Sequence, residues 1–441
     1  MRDIIVTLAV FGSLPFILRR PWIGILMWSW LGYMNPHRLA WGFSTSMPFA
    51  LIVALTTFGA LLMSREKKEI LWTRETKLLL LFTGWMFVTT AFSMYPWMAW
   101  TQWDKVWRIM LMTFVTMLAI REREHVHWLV VVIVASLAFY GVKGGIFVLT
   151  GGSAHNVRGP DGSFIADRNS VGLALLMTIP LIWYVRLQAK RVWERQILMA
   201  AGALTLIAII GTHSRGALLG LGVVGLFFIM KARNRFGILV AVIPLILVLM
   251  FVMPQEWFDR MHTIETYEDD ASARGRLYAW GNAIELANMS IFGGGFRAVT
   301  GYGGTDSHSN WFGVLGEQGW IGLVMFVLLH LFTWRTASRV IREVRPYKEL
   351  TWARDLASMI QVSLVGYMSA GSFLGLQYFD LFYHLIVIAV ILAAIVQREI
   401  KALAPETPRR PLPMDGLRPP FPVARVPPAA KPAGRPSGVV P

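Results

Sequence analysis

The sequence predicts an all-α polytopic membrane protein, and three observations carry that prediction. Of the 441 residues, 55% are hydrophobic and only 15% are charged, against about 25% charged in an ordinary soluble domain. Apolar runs of membrane-helix character recur as far as residue 396, divided by polar connections. Lysine and arginine gather in alternate connections, as they do where loops orient the spans. That last habit also accounts for a net charge of +16, which in a soluble chain would point to nucleic acid; no nucleic-acid partner is expected here. Cysteine is absent, which excludes a disulfide framework and thiolate metal or redox sites. No A-x-A cleavage site follows the first apolar run, so that run is expected to be retained.

Taken in order, residues 4–18 and 21–33 are short apolar runs split by Arg19 and Arg20. Each falls below the roughly 20 residues of a straight span, so one span or two are both open. Residues 34–46 form a loop, 47–63 a span, 64–77 a charged loop and 78–94 a span. Residues 95–107 read as a Trp-rich amphipathic segment at headgroup level, followed by a span over 108–120. Further spans are expected over 128–150, 170–187, 197–212, 217–230, 236–253, 311–334, 356–374 and 382–396. The total is about twelve, or thirteen if the first two runs both cross. They form a single transmembrane domain, 1–396. The largest hydrophilic connection is 254–310. Residues 397–441 are Pro-rich and basic, a composition that cannot build a core and is expected to be a disordered cytoplasmic tail.

The basic connections (64–77, 121–127, 188–196, 231–235, 335–354 and the tail) all alternate onto one side, which is therefore the cytoplasmic side. Lys105, Arg108, Arg158, Arg168, Arg215, Arg274, Arg276 and Arg297 then fall on or near the outer face, where orientation does not explain them. A headgroup contact or local ion pair would account for any one of them. Together they point to an anionic ligand. Arg215 is the sharpest case, because the turn His213-Ser214-Arg215-Gly216 between two apolar runs pins its guanidinium at the membrane surface. That group suits bidentate contacts to phosphate.

The segment 306–322 joins the large loop to an apolar run. A polar cluster at the mouth of a membrane helix is costly and usually has a use. His308 is of the residue type most often used as a general base, although a capping or loop-bonding histidine fits as well. Asn310 is expected to cap the helix. Ser309 lacks the G-x-S-x-G setting of a hydrolase nucleophile. Glu317 would lie about 10 Å down the helix and needs a partner, for which an outer arginine is the candidate. Gly313, Gly316, Gly319 and Gly322 read as a smooth face for close helix packing. Gly293, Gly294 and Gly295 lack the strand-to-helix context of a dinucleotide loop. The acidic run Glu268, Asp269 and Asp270 reads as solvated loop, and with the histidines dispersed neither a catalytic metal nor another cofactor is expected.

These residues resemble a known family. Ser214-Arg215-Gly216, Arg276 with Trp280, Gly293 to Phe296, His308-Ser309-Asn310, and Gly316-Glu317-Gln318-Gly319 with Gly322 are similar to the O-antigen ligase and polymerase superfamily over about residues 151–334. Tyr33-Met34-Asn35-Pro36-His37-Arg38 resembles the N-terminal region of members described as O-glycosylation ligases in bacteria with exosortase-type systems. The resemblance implies a C-type glycosyltransferase of the bacterial inner membrane with a periplasmic active site. It implies an undecaprenyl-diphosphate-linked glycan as donor, lipid A–core as acceptor, and metal-independent transfer with inversion.

The expected division of labour puts Arg215 and His308 at the chemistry. Arg276, with Lys105, Arg108, Arg158, Arg168, Arg297 and Asn310, would hold the diphosphate or glycan. Glu317 and His213 would stand behind them, and His213 remains an alternative base. Polymerases and protein O-oligosaccharyltransferases share these marks. A lipid-linked glycan transporter is the alternative of another class, and would show charged or broken helices near the midplane. Membrane lipids are the remaining expected partner. Glycan identity and oligomeric state are not legible in the residues.

Overall fold

A computed structural model describes residues 1–64, 69–231, 255 and 271–403. Among them the regular structure is all helical, with no strand. The α-helices are α1 (Arg2–Arg19), α2 (Pro21–Met34), α3 (Phe49–Met63), α4 (Arg74–Ala91), α5 (Pro96–Ala119), α6 (Arg123–Leu149), α7 (Arg168–Gln188), α8 (Val192–Gly211), α9 (Arg215–Lys231), α10 (Ala271–Met289), α11 (Ala298–Gly303), α12 (Asn310–Glu343), α13 (Thr351–Ala370) and α14 (Asp380–Leu403). Five of these, α6, α7, α8, α12 and α14, are long and apolar enough to cross a membrane. This is a multi-pass membrane protein.

Local chemistry sets the breaks. Arg20 is extended (φ −140°, ψ 92°) and Pro21 opens α2, because proline is tolerated at the first helical position, where no N–H is needed. The two opening runs are therefore two helices. Thr73 and Asp167 cap α4 and α7 through side-chain acceptors. Inside the apolar helices, the hydroxyls of Thr57, Thr113, Thr178 and Thr333 donate to the carbonyl four residues earlier. This satisfies each hydroxyl within its own helix, where no water is at hand.

Residues 1–400 form one compact unit. Helix α13 packs against α7, α9 and α12, while α6 packs against α2, α7 and α8. An aromatic cluster lies between α12, α13 and α14: Phe382 stacks on Tyr367 at 4.8 Å and on His330 at 4.2 Å, and Phe326 meets it edge-on at 5.3 Å. Such pairs contribute about 0.5–1.5 kcal/mol each beyond their buried area.

Expected boundaries move at five elements. The Trp-rich segment 95–107 and the span 108–120 are one helix, α5, since no glycine or proline interrupts residues 97–119. The described part of the large loop is mostly helical. In α10, Ala279, Ala283, Leu286 and Ala287 are buried, a helical spacing visible in the sequence but obscured by the charges around it. Helices α6 and α12 extend into connections read as basic loops. Helix α14 runs to Leu403, seven residues into the expected tail. The expected span 236–253, the acidic run 268–270 and the tail from 404 lie outside the described residues, as do parts of the loops 64–77, 231–235 and 254–310.

Candidate active site at the mouth of helix α12

The site is built around the start of α12 and the connection 371–379 between α13 and α14. Ser309, not Asn310, caps α12, its Oγ accepting from Phe312 N at 3.5 Å. Asn310 is the first helical residue and pins the connection instead. Its N–H donates to Gly371 O at 2.7 Å and its Oδ1 accepts from Leu376 N at 2.6 Å. The expectation of a capping Asn310 is corrected by one residue, because the extended backbone of Ser309 lets its shorter side chain reach back to the helix N–H groups.

His308 precedes the cap with φ +45°, a left-handed conformation that is uncommon for any residue but Gly. Asp306 Oδ1 holds it there, accepting from His308 N at 3.1 Å. The carboxylate also faces Arg297 at 3.8 Å, in an exposed pair. His308 is half-buried, and its Cα lies beside Gly375 of the connection.

Helix α10 supplies the next wall. Trp280 donates from Nε1 to Ser307 O at 2.9 Å and stacks on Phe312 at 4.6 Å with 10° between the rings. Arg276 lies one turn earlier on the same helix and is partly buried, whereas Arg274 is exposed. The Ser214-Arg215-Gly216 turn reaches the same connection. Arg215 opens α9, and a Cβ on Gly216 would stand 3.0 Å from Phe373 and Leu374. Phe373 in turn lies 6.4 Å from the Trp280 ring. The turn that carries Arg215, the Arg276–Trp280 turn and the backbone of His308 are therefore brought to one short connection.

Behind this mouth α12 is broken. Gly319 has φ +68° and ψ −175° inside the helix, so one of the four glycines makes a kink; the expected close packing holds at Gly316, where a Cβ would stand 3.0 Å from the Cα of Ala283 in α10. The break frees carbonyls, and each finds a donor. Gly316 O accepts from Gly294 N at 2.9 Å, Glu317 O from Gly295 N at 3.0 Å, and Gln318 O from Trp85 Nε1 at 2.8 Å. A Cβ on Gly293 would lie 2.5 Å from Gly319 N, so the triple glycine is a backbone clamp on the kink. Among the described residues, Glu317 binds no guanidinium. Its Oε1 accepts from the backbone N–H of Arg297 at 2.8 Å and its Oε2 from the Tyr378 hydroxyl at 2.8 Å.

The other candidates are placed apart from this cluster or at its edge. Lys105 is exposed on α5, and Arg108 pairs at 2.6 Å with Asp104 on its own helix. Arg158 is exposed in a segment that docks on the α8–α9 turn through Val157 N to Gly211 O at 2.9 Å. Arg168 opens α7 and is partly buried. His213, 7% exposed, donates from Nε2 to Ser153 O at 3.0 Å and so anchors that same segment. Sequence reasoning missed Tyr378 and Asp306. The D-S-H run carried an Asx-turn signal for Asp306, while nothing marks Tyr378 among the aromatic residues.

The arrangement defines a class: a helical membrane protein with a cationic and imidazole-bearing site at a helix mouth. Residues 200–327 match the family model described as O-Antigen ligase, and residues 1–190 match a family of unknown function. The ligase match takes in the Ser214-Arg215-Gly216 turn, α10, the glycine clamp and the mouth of α12. It supports the O-antigen ligase superfamily, and with it glycan transfer of the ligase or polymerase type. No curated protein matches the chain.

Proposed function

We propose that the protein is an O-antigen ligase, moving a glycan from undecaprenyl diphosphate to a sugar hydroxyl of lipid A–core at the periplasmic face of the inner membrane. The supporting observation is that the turns carrying Arg215 and Arg276 and the backbone of His308, all three residues within the segment that matches the ligase family, are brought to one connection, 371–379, which lies beyond that segment. In this reading about twelve spans carry the site, the region 254–310 covers the glycan, and the tail is cytoplasmic.

The acceptor oxygen attacks the anomeric carbon while the bond from that carbon to the phosphate oxygen breaks. The electron pair leaves with undecaprenyl diphosphate and the configuration inverts. His308 takes the acceptor proton. Arg215 and Arg276 stabilise charge on the departing diphosphate, with Lys105, Arg108, Arg158, Arg168, Arg297 and Asn310 as further contacts to donor or glycan. The diphosphate linkage supplies the driving force, and the guanidinium groups supply the charge that a metal would otherwise bring.

The Gly319 break is the kind of feature a transporter would show. Its three carbonyls, however, are bonded to Gly294, Gly295 and Trp85, which leaves them turned to protein rather than to a cargo. That favours the enzyme.

The test is transfer by the purified protein in detergent with EDTA. An undecaprenyl-diphosphate glycan is supplied with lipid A–core, with a second donor molecule, or with a Ser/Thr-containing protein. Product with lipid A–core alone is expected. Chain extension would make it a polymerase, labelled protein an oligosaccharyltransferase, and transbilayer movement of donor without any product a flippase.

A further inference from the structure

A second polar cluster lies at the other end of α12, remote from the candidate site. Where α12 ends and α13 begins, Val344, Arg345, Tyr347, Lys348, Thr351 and Arg354 line a cavity of about 380 Å³. That volume is within the roughly 300–1,000 Å³ of small-molecule sites. Three of its six lining residues are cationic and none is acidic. Arg354 stands 4.0 Å from the carboxylate of its neighbour Asp355.

Loop charge that merely orients spans needs no cavity, and cations at a helix C-terminus can be assigned to the helix dipole. Arg345 fits that second account, since it follows the end of α12. Lys348 and Arg354 do not. They lie just before and just inside the start of α13, where the dipole is positive and favours anions. The first turn of α13 contains no acid, and its N-cap, Leu350, has no side chain that could accept from the helix N–H groups. Glu349 is exposed in the preceding turn and does not line the cavity. Two cations are thus placed against the positive end of a helix with no side-chain cap, at the rim of a cavity that also holds the phenol of Tyr347.

We propose that this cavity binds a phosphate-bearing anion, with the guanidinium groups of Arg345 and Arg354 and the ammonium of Lys348 on the phosphate oxygens, in the field of the positive end of α13. Its position at the end of a helix long enough to cross a membrane makes a lipid headgroup one source of that phosphate. A soluble phosphate ester is the other. The proposal is independent of the transfer reaction.

The test uses the full-length protein. Native mass spectrometry follows binding of phosphatidylglycerol against phosphatidylcholine. Separate titrations use inorganic phosphate and glycerol 3-phosphate. Arg345→Gln/Lys348→Gln is compared with Lys190→Gln/Arg191→Gln, an exposed pair of equal charge elsewhere. The cavity variant is expected to lose phosphatidylglycerol or phosphate-ester binding about tenfold or more, as loss of charge-assisted contacts should, with the control pair unchanged. Preference for the lipid or for the soluble ester identifies the source. Equal losses in both variants, or equal binding of phosphatidylcholine, would overturn the site.

Discussion

The Tyr378 hydroxyl donates a 2.8 Å hydrogen bond to Oε2 of Glu317, tying the α13–α14 connection to the broken segment of α12. The bond is part of a chain. Thr89 donates to Gln318 Oε1, Gln318 Nε2 donates to the Tyr378 oxygen, and Glu317 Oε1 accepts from Arg297 N. Glu317 and Gln318 are both buried, and in such surroundings a broken network costs more than its pairs suggest.

Tyr378→Phe removes one donor from Glu317 and leaves Gln318 Nε2 without its acceptor. A loss of about 1–3 kcal/mol is expected, read from thermal or denaturant unfolding in detergent. Glu317→Gln should cost less than Glu317→Ala, because the amide oxygen still accepts from Arg297 N. In a double-mutant cycle, Tyr378→Phe and Glu317→Ala should be strongly non-additive. Additive losses would show that the two side chains do not act as a pair.

Asp306 separates geometry from charge. Its pair with Arg297 is about half exposed on both sides, and such pairs contribute little. Its hydrogen bond to His308 N holds a left-handed residue in place. Asp306→Asn keeps an acceptor for that N–H and should transfer glycan at close to the wild-type rate. Asp306→Ala should lose about fivefold, the equivalent of roughly 1 kcal/mol. The fall should appear in kcat rather than KM if His308 acts on the chemical step. Equal losses in both variants would assign the effect to charge.

What the sequence revealed and hid follows from the range of each interaction. Arg215 stood out because a charged residue in a four-residue turn between apolar runs is a local anomaly, and His308 stood out at a polar-to-apolar junction. The pairing of Gly293–Gly295 with Gly319 joins segments that only the fold brings together, so the glycines could be read singly but not as a clamp. Tyr378 acquires its role from Glu317, 61 residues away. Helix α10 had the right periodicity in Ala279, Ala283 and Leu286, but its charged and polar residues made it read as loop.

The kink offers a test with an internal control. A Cβ at Gly319 would meet Ile291 O at 2.5 Å with φ at +68°, so Gly319→Ala combines a clash with backbone strain of about 1–3 kcal/mol. Gly293→Ala meets Gly319 N at the same 2.5 Å and should be similarly damaging. Gly222 sits within α9, and a methyl group there would have nothing within 4 Å of it. Gly222→Ala should therefore leave stability unchanged or raise it by up to about 1 kcal/mol. Melting temperatures of the three variants in one detergent decide the matter. A tolerated Gly319→Ala would mean that α12 can run straight.

The sharpest prediction concerns which histidine takes the proton. His213 and His308 both lie beside the proposed diphosphate contacts and both have positive φ, +53° and +45°. Their surroundings differ. The His213 Nε2 faces Ser153 O at 3.0 Å. A carbonyl only accepts, so that nitrogen carries its proton and is committed to holding the 151–157 segment. His308 is fixed through its backbone N–H, which leaves the imidazole available to an acceptor hydroxyl. His213→Gln retains an N–H donor and should preserve most transfer, with its main effect on stability. His308→Gln should lower kcat by about 10²–10⁴ while the protein still inserts and melts normally. Rates from purified variants, normalised to folded protein, separate the cases. A transfer-dead His213→Gln beside an active His308→Gln would reverse the assignment.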